Sequence, residues 1–207
     1  MWKLLKSVVA LLLVIGAVYT YSVYKDKQTL NEQIIRLHVV ADTDDPADQE
    51  LKLQVRDEIL RLVHAIKEGA SSKEEALTRL REQLPALEEA ANAVLSKEGK
   101  EYHAAVTLDE EAFPTRFYDT FSLPAGIYDS LRVTIGSGQG KNWWCVVFPD
   151  LCMPAASAEV EDTAVAAGFS DTLSKTLTRQ EGYEIRFLVL DCFGKLQNFC
   201  IWDDFVL

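Results

Sequence analysis

Apolar and polar positions alternate along "IIRLHVVA", residues 34–41. Ile35, Leu37, Val39 and Ala41 fall on one side, and Ile34, Arg36, His38 and Val40 on the other. A period of two predicts a β-strand. The period then lengthens: Leu51, Val55, Ile59, Leu62, Val63 and Ile66 recur at the spacing of an amphipathic helix. Asp45 suits the N-cap of that helix and Pro46 its first position. The acids of the turn complement the positive end of the helix dipole, and Gly69 suits its end. A second helix opens with Ser72 and Glu75 spaced as a capping box. Its stripe is Leu77, Leu80, Leu84, Leu87, Ala91 and Val94, Pro85 must kink or split it, and Gly99 closes it. Residues 46–98 thus predict a helical hairpin able to cover one face of a sheet.

From Glu101 the texture changes. "YHAAVTL" reads as a strand, and residues 113–149 carry aromatic and β-branched residues punctuated by Pro and Gly at short intervals. Leu131, Val133 and Ile135 alternate with Arg132 and Thr134. That pattern predicts a strand meander over 101–152. Residues 155–168 are small and acidic, a loop or short helix. "YEIRFLVLDCFGKLQNFCIW" predicts two further strands over 183–202, turning at Phe193-Gly194-Lys195. The expected fold class is α+β: one domain with a mixed or antiparallel sheet, covered on one face by the helical hairpin.

The amino terminus follows neither period. Lys3 and Lys6 precede an uncharged, mostly apolar run from Ser7 to Tyr24, which Lys25 ends. Eighteen residues of helix span roughly 27 Å, about the thickness of a hydrocarbon core. The two lysines favour an inside amino terminus and an exported remainder. Residues 1–27 are therefore a signal peptide or a signal-anchor, and 28–207 the exported domain. Ala17-Val18-Tyr19 is a poor cleavage site, and Tyr19, Tyr21 and Tyr24 resemble interface aromatics, so both fates stay open.

Composition narrows the partners. Of 21 basic residues, Lys3 and Lys6 lie in the apolar segment, leaving 19 against 32 acidic ones, a net of −13 for the rest of the chain. With no run of Lys or Arg, no nucleic-acid partner is expected.

Four cysteines, Cys145, Cys152, Cys192 and Cys200, allow three disulfide connectivities in an exported chain. Cys145 and Cys152 flank a turn at Pro149 and form the candidate disulfide, a closure contributing roughly 2–3 kcal/mol on the chain-entropy model. Four buried, reduced cysteines are the alternative. In a tight hairpin at 193–195, Cys192 and Cys200 do not face each other. Neither Cys-x-x-Cys nor a His pair at ligand spacing occurs, so no metal or cofactor is expected. "GSGQGK" lacks the phosphate-loop spacing, since Asn142 follows Lys141. The acid pairs, Asp109-Glu110-Glu111 among them, read as solvated faces or caps. Arg36 and His38 share one strand face, and Arg132 interrupts another strand. Their plain reading is an ion pair with Asp42 or Asp57, their sharper one a polar pocket that recognises a partner. Trp143 and Trp144 must face opposite ways on a strand, one to the core and the other a candidate anchor.

Two stretches together are specific. "IIRLHVVADTDDPADQELKLQVRDEIL" resembles a family segment of the form Arg-Leu/Phe-His-Val-x-Ala-Asn-Ser-Asp followed by Asp-Gln-x-x-Lys-x-x-Val-Arg-Asp. "FPTRFYDTFSLPAGIYDSLRVTIGSGQGKNWWCVVFPDLC" resembles the block ending Gly-x-Gly-x-Asn-Trp-Trp-Cys-Val-x-Phe-Pro-x-x-Cys. The family is stage II sporulation protein R of endospore-forming Firmicutes. "ADTD" departs from the usual Ala-Asn-Ser-Asp but keeps the turn chemistry.

The resemblance implies a signalling protein and no enzyme, with no catalytic residue to carry over. It implies export from the forespore into the space before the mother-cell membrane. There such proteins trigger a membrane-embedded aspartic protease, the sigma-E factor processing peptidase. The family motif falls on Arg36, His38, Asp42, Asp48, Gln49, Lys52, Arg56, Asp57, Asn142, Trp143, Trp144, Cys145, Pro149 and Cys152. The candidate partner-binding residues are Arg36, His38, Asp42, Arg132, Asn142, Trp143 and Trp144. Two other classes compete: an exported thiol-dependent enzyme using Cys145 with His38 or His103, and a membrane-anchored sensor with a pocket of Arg36, His38 and Trp144.

Overall fold

The strand foreseen at residues 34–41 is β1 (Ile35–Val40), and all six of its residues are buried. It is buried because it is interior on every side. The computed structural model describes residues 1–152, 157–178 and 185–204, apart from the side chains of 157–159, 185–186 and 200–204. The other strands are β2 (Ala104–Phe113), the short pair β3 (Arg116–Phe117) and β4 (Ser122–Leu123), β5 (Gly126–Ile135) and β6 (Asn142–Phe148). The main sheet has the order β2-β5-β1-β6 and is mixed, because β1 runs parallel to β5 and antiparallel to β6. The expected meander is corrected at this point. β2 and β5 pair as neighbours, but β1 is inserted between β5 and β6. The glycine-rich 136–141 connection therefore has to straddle the end of β1. It is tied there by Gln139 N–H donating to Asp42 O and Gly140 N–H donating to Ala41 O.

One sheet face is covered as the helical periodicity requires. The helices are α2 (Pro46–Lys67), α3 (Lys73–Glu82) and α4 (Leu84–Lys97), so the second helix of the hairpin is split beside Pro85. Leu51, Val55, Ile59 and Val63 of α2, with Leu80, Leu87 and Ala91, pack onto Ile35, Leu37, Val39, Val106, Leu131 and Val133. Each of these Val, Leu and Ile side chains contributes about 1.5–3 kcal/mol through apolar burial. Ser72 Oγ accepts from Glu75 N–H, while the Glu75 carboxylate reaches back to Ser71 instead of closing the box on Ser72. Asp45 sits at the N-cap of α2 without a side-chain capping bond.

The opposite face carries α1 (Trp2–Gln33), α5 (Ser157–Ala166), α6 (Asp171–Thr178) and α7 (Ile185–Asp204). The two strands expected over 183–202 are thus corrected to one helix from Ile185; residues 183 and 184 lie outside the described residues. A continuous apolar run fits strand and helix equally by pattern. What decides is packing: Phe187, Leu190, Asp191 and Gly194 recur at helical spacing on the buried side. Gly194 is the point where α7 meets backbone, since a Cβ there would collide with the Ala125 carbonyl. Phe187 and Leu190 join Val23, Leu30, Phe113, Tyr128 and Val146 in a second core.

α1 is long and apolar enough to cross a membrane, with a mean hydropathy of 2.0 over its most apolar stretch and no burial there. Its end is different: Val23, Asp26, Lys27 and Leu30 are buried in the domain. The segment is a candidate membrane or signal helix that runs without interruption into the fold.

Candidate functional site

The period of two on β1 sends Arg36 and His38 to the face away from α2–α4, and the register gathers their partners. His38 lies opposite Arg132 of β5 and Trp144 of β6. His38 Nδ1 is 2.9 Å from Glu111 Oε1, and Nε2 is 2.7 Å from Asn142 Oδ1. Its ring packs on Trp144 at 5.4 Å between centroids. Glu111 is the hub. It also accepts from Ser130 Oγ (2.9 Å) and pairs with Arg132 Nη1 (3.0 Å). Burial alone would raise the Glu111 carboxyl, but His38, Ser130 and Arg132 together hold it below the ordinary carboxylate range.

Arg36 lies one step along the same face and has 0% exposure. Its guanidinium sits 3.9 Å above the Phe113 ring and 5.4 Å from the Tyr128 ring, and Nη2 donates to Tyr118 Oη at 2.9 Å. Among the described residues, Nε and Nη1 have no hydrogen-bond partner. Arg116 lies over Trp144 at 3.3 Å. This is a polar and aromatic layer of three arginines, a histidine, a glutamate and four further rings.

The expected ion pairs of Arg36 and His38 with Asp42 or Asp57 are not formed. Asp57 instead takes Arg56 Nε at 2.7 Å, and the Arg56 guanidinium lies 5.0 Å from the Trp143 ring. Asp42 Oδ1 accepts from Ser137 N–H at 2.6 Å, across the loop junction. Most of the remaining motif residues serve that junction. Lys52 Nζ donates to Lys141 O and to Gln49 Oε1, and Gln49 Nε2 donates to Thr43 O. Asp48 accepts from Thr43, Lys100 and Tyr102. The Thr43 hydroxyl, then Lys100, holds its carboxyl below the usual range. These groups clamp the β1–α2 turn to the 136–141 loop.

Trp143 and Trp144 do face opposite ways, Trp143 towards the α2 layer and Trp144 towards the polar layer. Both are half-buried and Asn142 is exposed. Arg132 keeps 41% of its side chain exposed.

Cys145 and Cys152 are bonded, with Cα atoms 5.6 Å apart. Cys192 is a free, exposed thiol, and the Cys200 side chain lies outside the described residues. Cys145 pairs in register with Leu37, so it faces the side of the sheet opposite His38. His103 precedes β2, which β5 separates from β1, so the two histidines do not lie on neighbouring strands. The geometry therefore opposes the thiol-enzyme reading. Among the described residues no group of His, Cys, Asp and Glu could hold a metal ion. A cavity of about 520 Å³ lies away from the polar layer, beside the disulfide, lined by Leu60, Val63, His64 and Val147 among others.

Sequence reasoning missed Glu111, set aside within an acidic run. The signal was present: Ala104, Val106 and Leu108 define one side of β2, which puts Glu111 with Phe113 on the other. Arg116 and Tyr118 carried no such signal, because the short β3–β4 excursion alone brings them beneath Trp144 and Arg36.

The model of stage II sporulation protein R matches residues 31–158, a span that holds the polar layer, the loop junction and the disulfide. The chain belongs to the stage II sporulation protein R family. Stage II sporulation protein R of Bacillus subtilis (strain 168) is 30% identical over 183 residues, covering 80% of this chain and 82% of that protein. No solved structure matches the chain. Family membership gives the chain a role in sporulation, and α1 is consistent with a signal or anchor segment.

Proposed function

We propose that this stage II sporulation protein R relative is an exported signalling protein without enzymatic activity of its own. It leaves the forespore and acts between the forespore and mother-cell membranes. Its partner is the membrane-embedded aspartic protease that removes the pro-sequence of sigma-E, and binding shifts that protease towards its active arrangement. The observation that carries the reading is the family match over residues 31–158 behind an amino-terminal apolar helix. Within the match, docking falls to the groups that keep exposed surface: Asn142, Trp143, Trp144, Arg132 and the Asp42 junction. His38 positions Asn142 and Trp144, and Arg36, with no exposed surface, supports the layer from beneath.

The test is co-expression with the protease and its sigma-E precursor in a non-sporulating host, scoring removal of the pro-sequence. Cleavage that requires an export-competent chain supports the reading. No cleavage with a folded, exported protein overturns it. Trp144→Ala and Asn142→Ala are expected to lose activation while keeping the fold, and unfolding of both would remove the docking assignment.

A further inference from the structure

No linker separates the apolar run of α1 from the folded domain. The uncharged stretch ends at Tyr24, yet Val23 is already in the second core and Lys27 Nζ donates to the Ala125 carbonyl at 2.7 Å. If residues 7–24 lie in a bilayer, the domain rests on that bilayer and cannot swing on a tether.

α7 shows which surface faces down. Gly194 packs against the backbone of Ala125 and Gly126, the same carbonyl that Lys27 holds. Phe193 and Gln197 share a cleft with Tyr24, Lys27, Gln28 and Asn31, and Gln197 also lies by Asn31 and Glu32. α7 therefore runs alongside α1 in the same direction, with Gly194 level with Lys27. Leu188 is six residues earlier, about 9 Å towards the membrane, the level of Tyr21. A crossing of about 50°, common between packed helices, would still lower it by roughly 6 Å, to the level of Val23. Leu188 is 47% exposed. Beside it Phe187 packs with Phe117 at 6.3 Å between centroids, and Phe117 is 62% exposed. Tyr21 and Tyr24 are exposed at the same level.

We propose that Phe117 and Leu188, with Tyr21 and Tyr24, form an apolar seat that inserts into the headgroup region of the bilayer spanned by α1. It fixes the domain's orientation on that surface. The proposal rests on reading α1 as a retained anchor. Its occupant is lipid because the seat is continuous with the spanning helix and because aromatic and apolar side chains at this depth partition into the interface.

The experiment uses the full chain in lipid vesicles, with Cys192→Ser and Cys200→Ser so that no cysteine outside the Cys145–Cys152 disulfide competes for label. Spin labels are placed singly through Leu12→Cys, Phe117→Cys, Leu188→Cys and Phe199→Cys. Phe199 is as apolar as Phe117 and 66% exposed, but it lies about 16 Å farther from the bilayer than Leu188 along α7. Collision with oxygen, which enters lipid, is compared with collision with a water-soluble nickel chelate. The expected result is an oxygen-to-chelate ratio at 117 and 188 several-fold above that at 199 and approaching that at 12. If 117 and 188 match 199 while 12 reads lipid, the seat is wrong and the anchor stands. If all four read water, the anchor reading fails and takes the seat with it.

Discussion

The two faces of the four-stranded sheet solve the same problem with different chemistry. On one face Ile35, Leu37 and Val39 meet the apolar stripes of α2, α3 and α4. On the other, residues one step along the same strand, Arg36 and His38, meet Glu111, Asn142, Trp144 and Phe113. The apolar face gains from area alone, so its partners are interchangeable within volume. The polar face gains only where each donor meets its acceptor, so its partners are specific and drawn from β2, β5 and β6. The contrast separates burial driven by area from burial that depends on matched donors and acceptors.

Leu37→Ala should show the largest effect. The side chain is fully buried at the centre of the apolar face, and a truncation of this kind costs about 2–5 kcal/mol. Urea unfolding would measure it. A loss below about 1 kcal/mol would mean that this face is loosely packed.

Glu111→Ala comes next, at about 2–3 kcal/mol, because it strips a charged acceptor from His38, Ser130 and Arg132 at once. The same group gives the polar face a pH dependence that the apolar face lacks. The folded state holds the Glu111 carboxyl below its ordinary value, so its stabilisation is complete above the unfolded-state pKa. It is lost as pH falls through the lowered folded value. Urea midpoints measured from neutral pH downward should fall less steeply in Glu111→Gln than in the parent chain. Parallel profiles would remove Glu111 from its place as hub.

Asp42→Ala tests the junction that closes the sheet's loop end. Its carboxylate accepts one backbone N–H across the 136–141 loop, so a loss of about 1 kcal/mol is expected. Faster amide exchange should be confined to that loop and the β1–α2 turn. Exchange spreading into β1 would show that the junction supports the sheet as a whole.

The apolar face was legible in the sequence because it is periodic. β1, α2, the capped start at Ser72 and the break beside Pro85 all follow from spacing and from the chemistry of single residues. The pairing of Cys145 with Cys152 was legible as a candidate from its turn. The polar face was legible only by half. Arg36, His38 and Trp144 could be placed on strand faces, but their partners depend on β1 lying between β5 and β6, an insertion no local pattern encodes. The alternation of β2 marks the side on which Glu111 lies, but nothing local shows that it meets His38, and the expected pairs with Asp42 and Asp57 failed for the same reason. α7 was misread for a different reason. "IRFLVLDCF" is apolar but for Arg186 and Asp191, so neither period stands out, and the contact of Gly194 with residues 125–126 decides between helix and strand.

The smallest stability effect is expected at the residue with the most conspicuous chemistry. Among the described residues, Arg36 is a cation with no exposed surface, one hydrogen bond, two unpartnered nitrogens, and rings on two sides. The attraction of Phe113 and Tyr128 for the guanidinium is worth up to about 2 kcal/mol in a desolvated site, and its hydrogen bond to Tyr118 about 1.5–3 kcal/mol more, against the several kcal/mol that removing the charge from water costs. Arg36→Met keeps the length and apolar stem and removes the gains and the cost together. They should nearly cancel, leaving the variant within about 1 kcal/mol of the parent in urea unfolding. Such a result, beside the large loss at Leu37, would show that the charge at Arg36 is not retained for stability. Arranging Tyr118 for a partner would then be its remaining use, and the co-expression assay would reveal it as lost sigma-E precursor cleavage by a stable protein. A loss of several kcal/mol would instead make Arg36 a structural residue and erase the contrast between the two faces at this position.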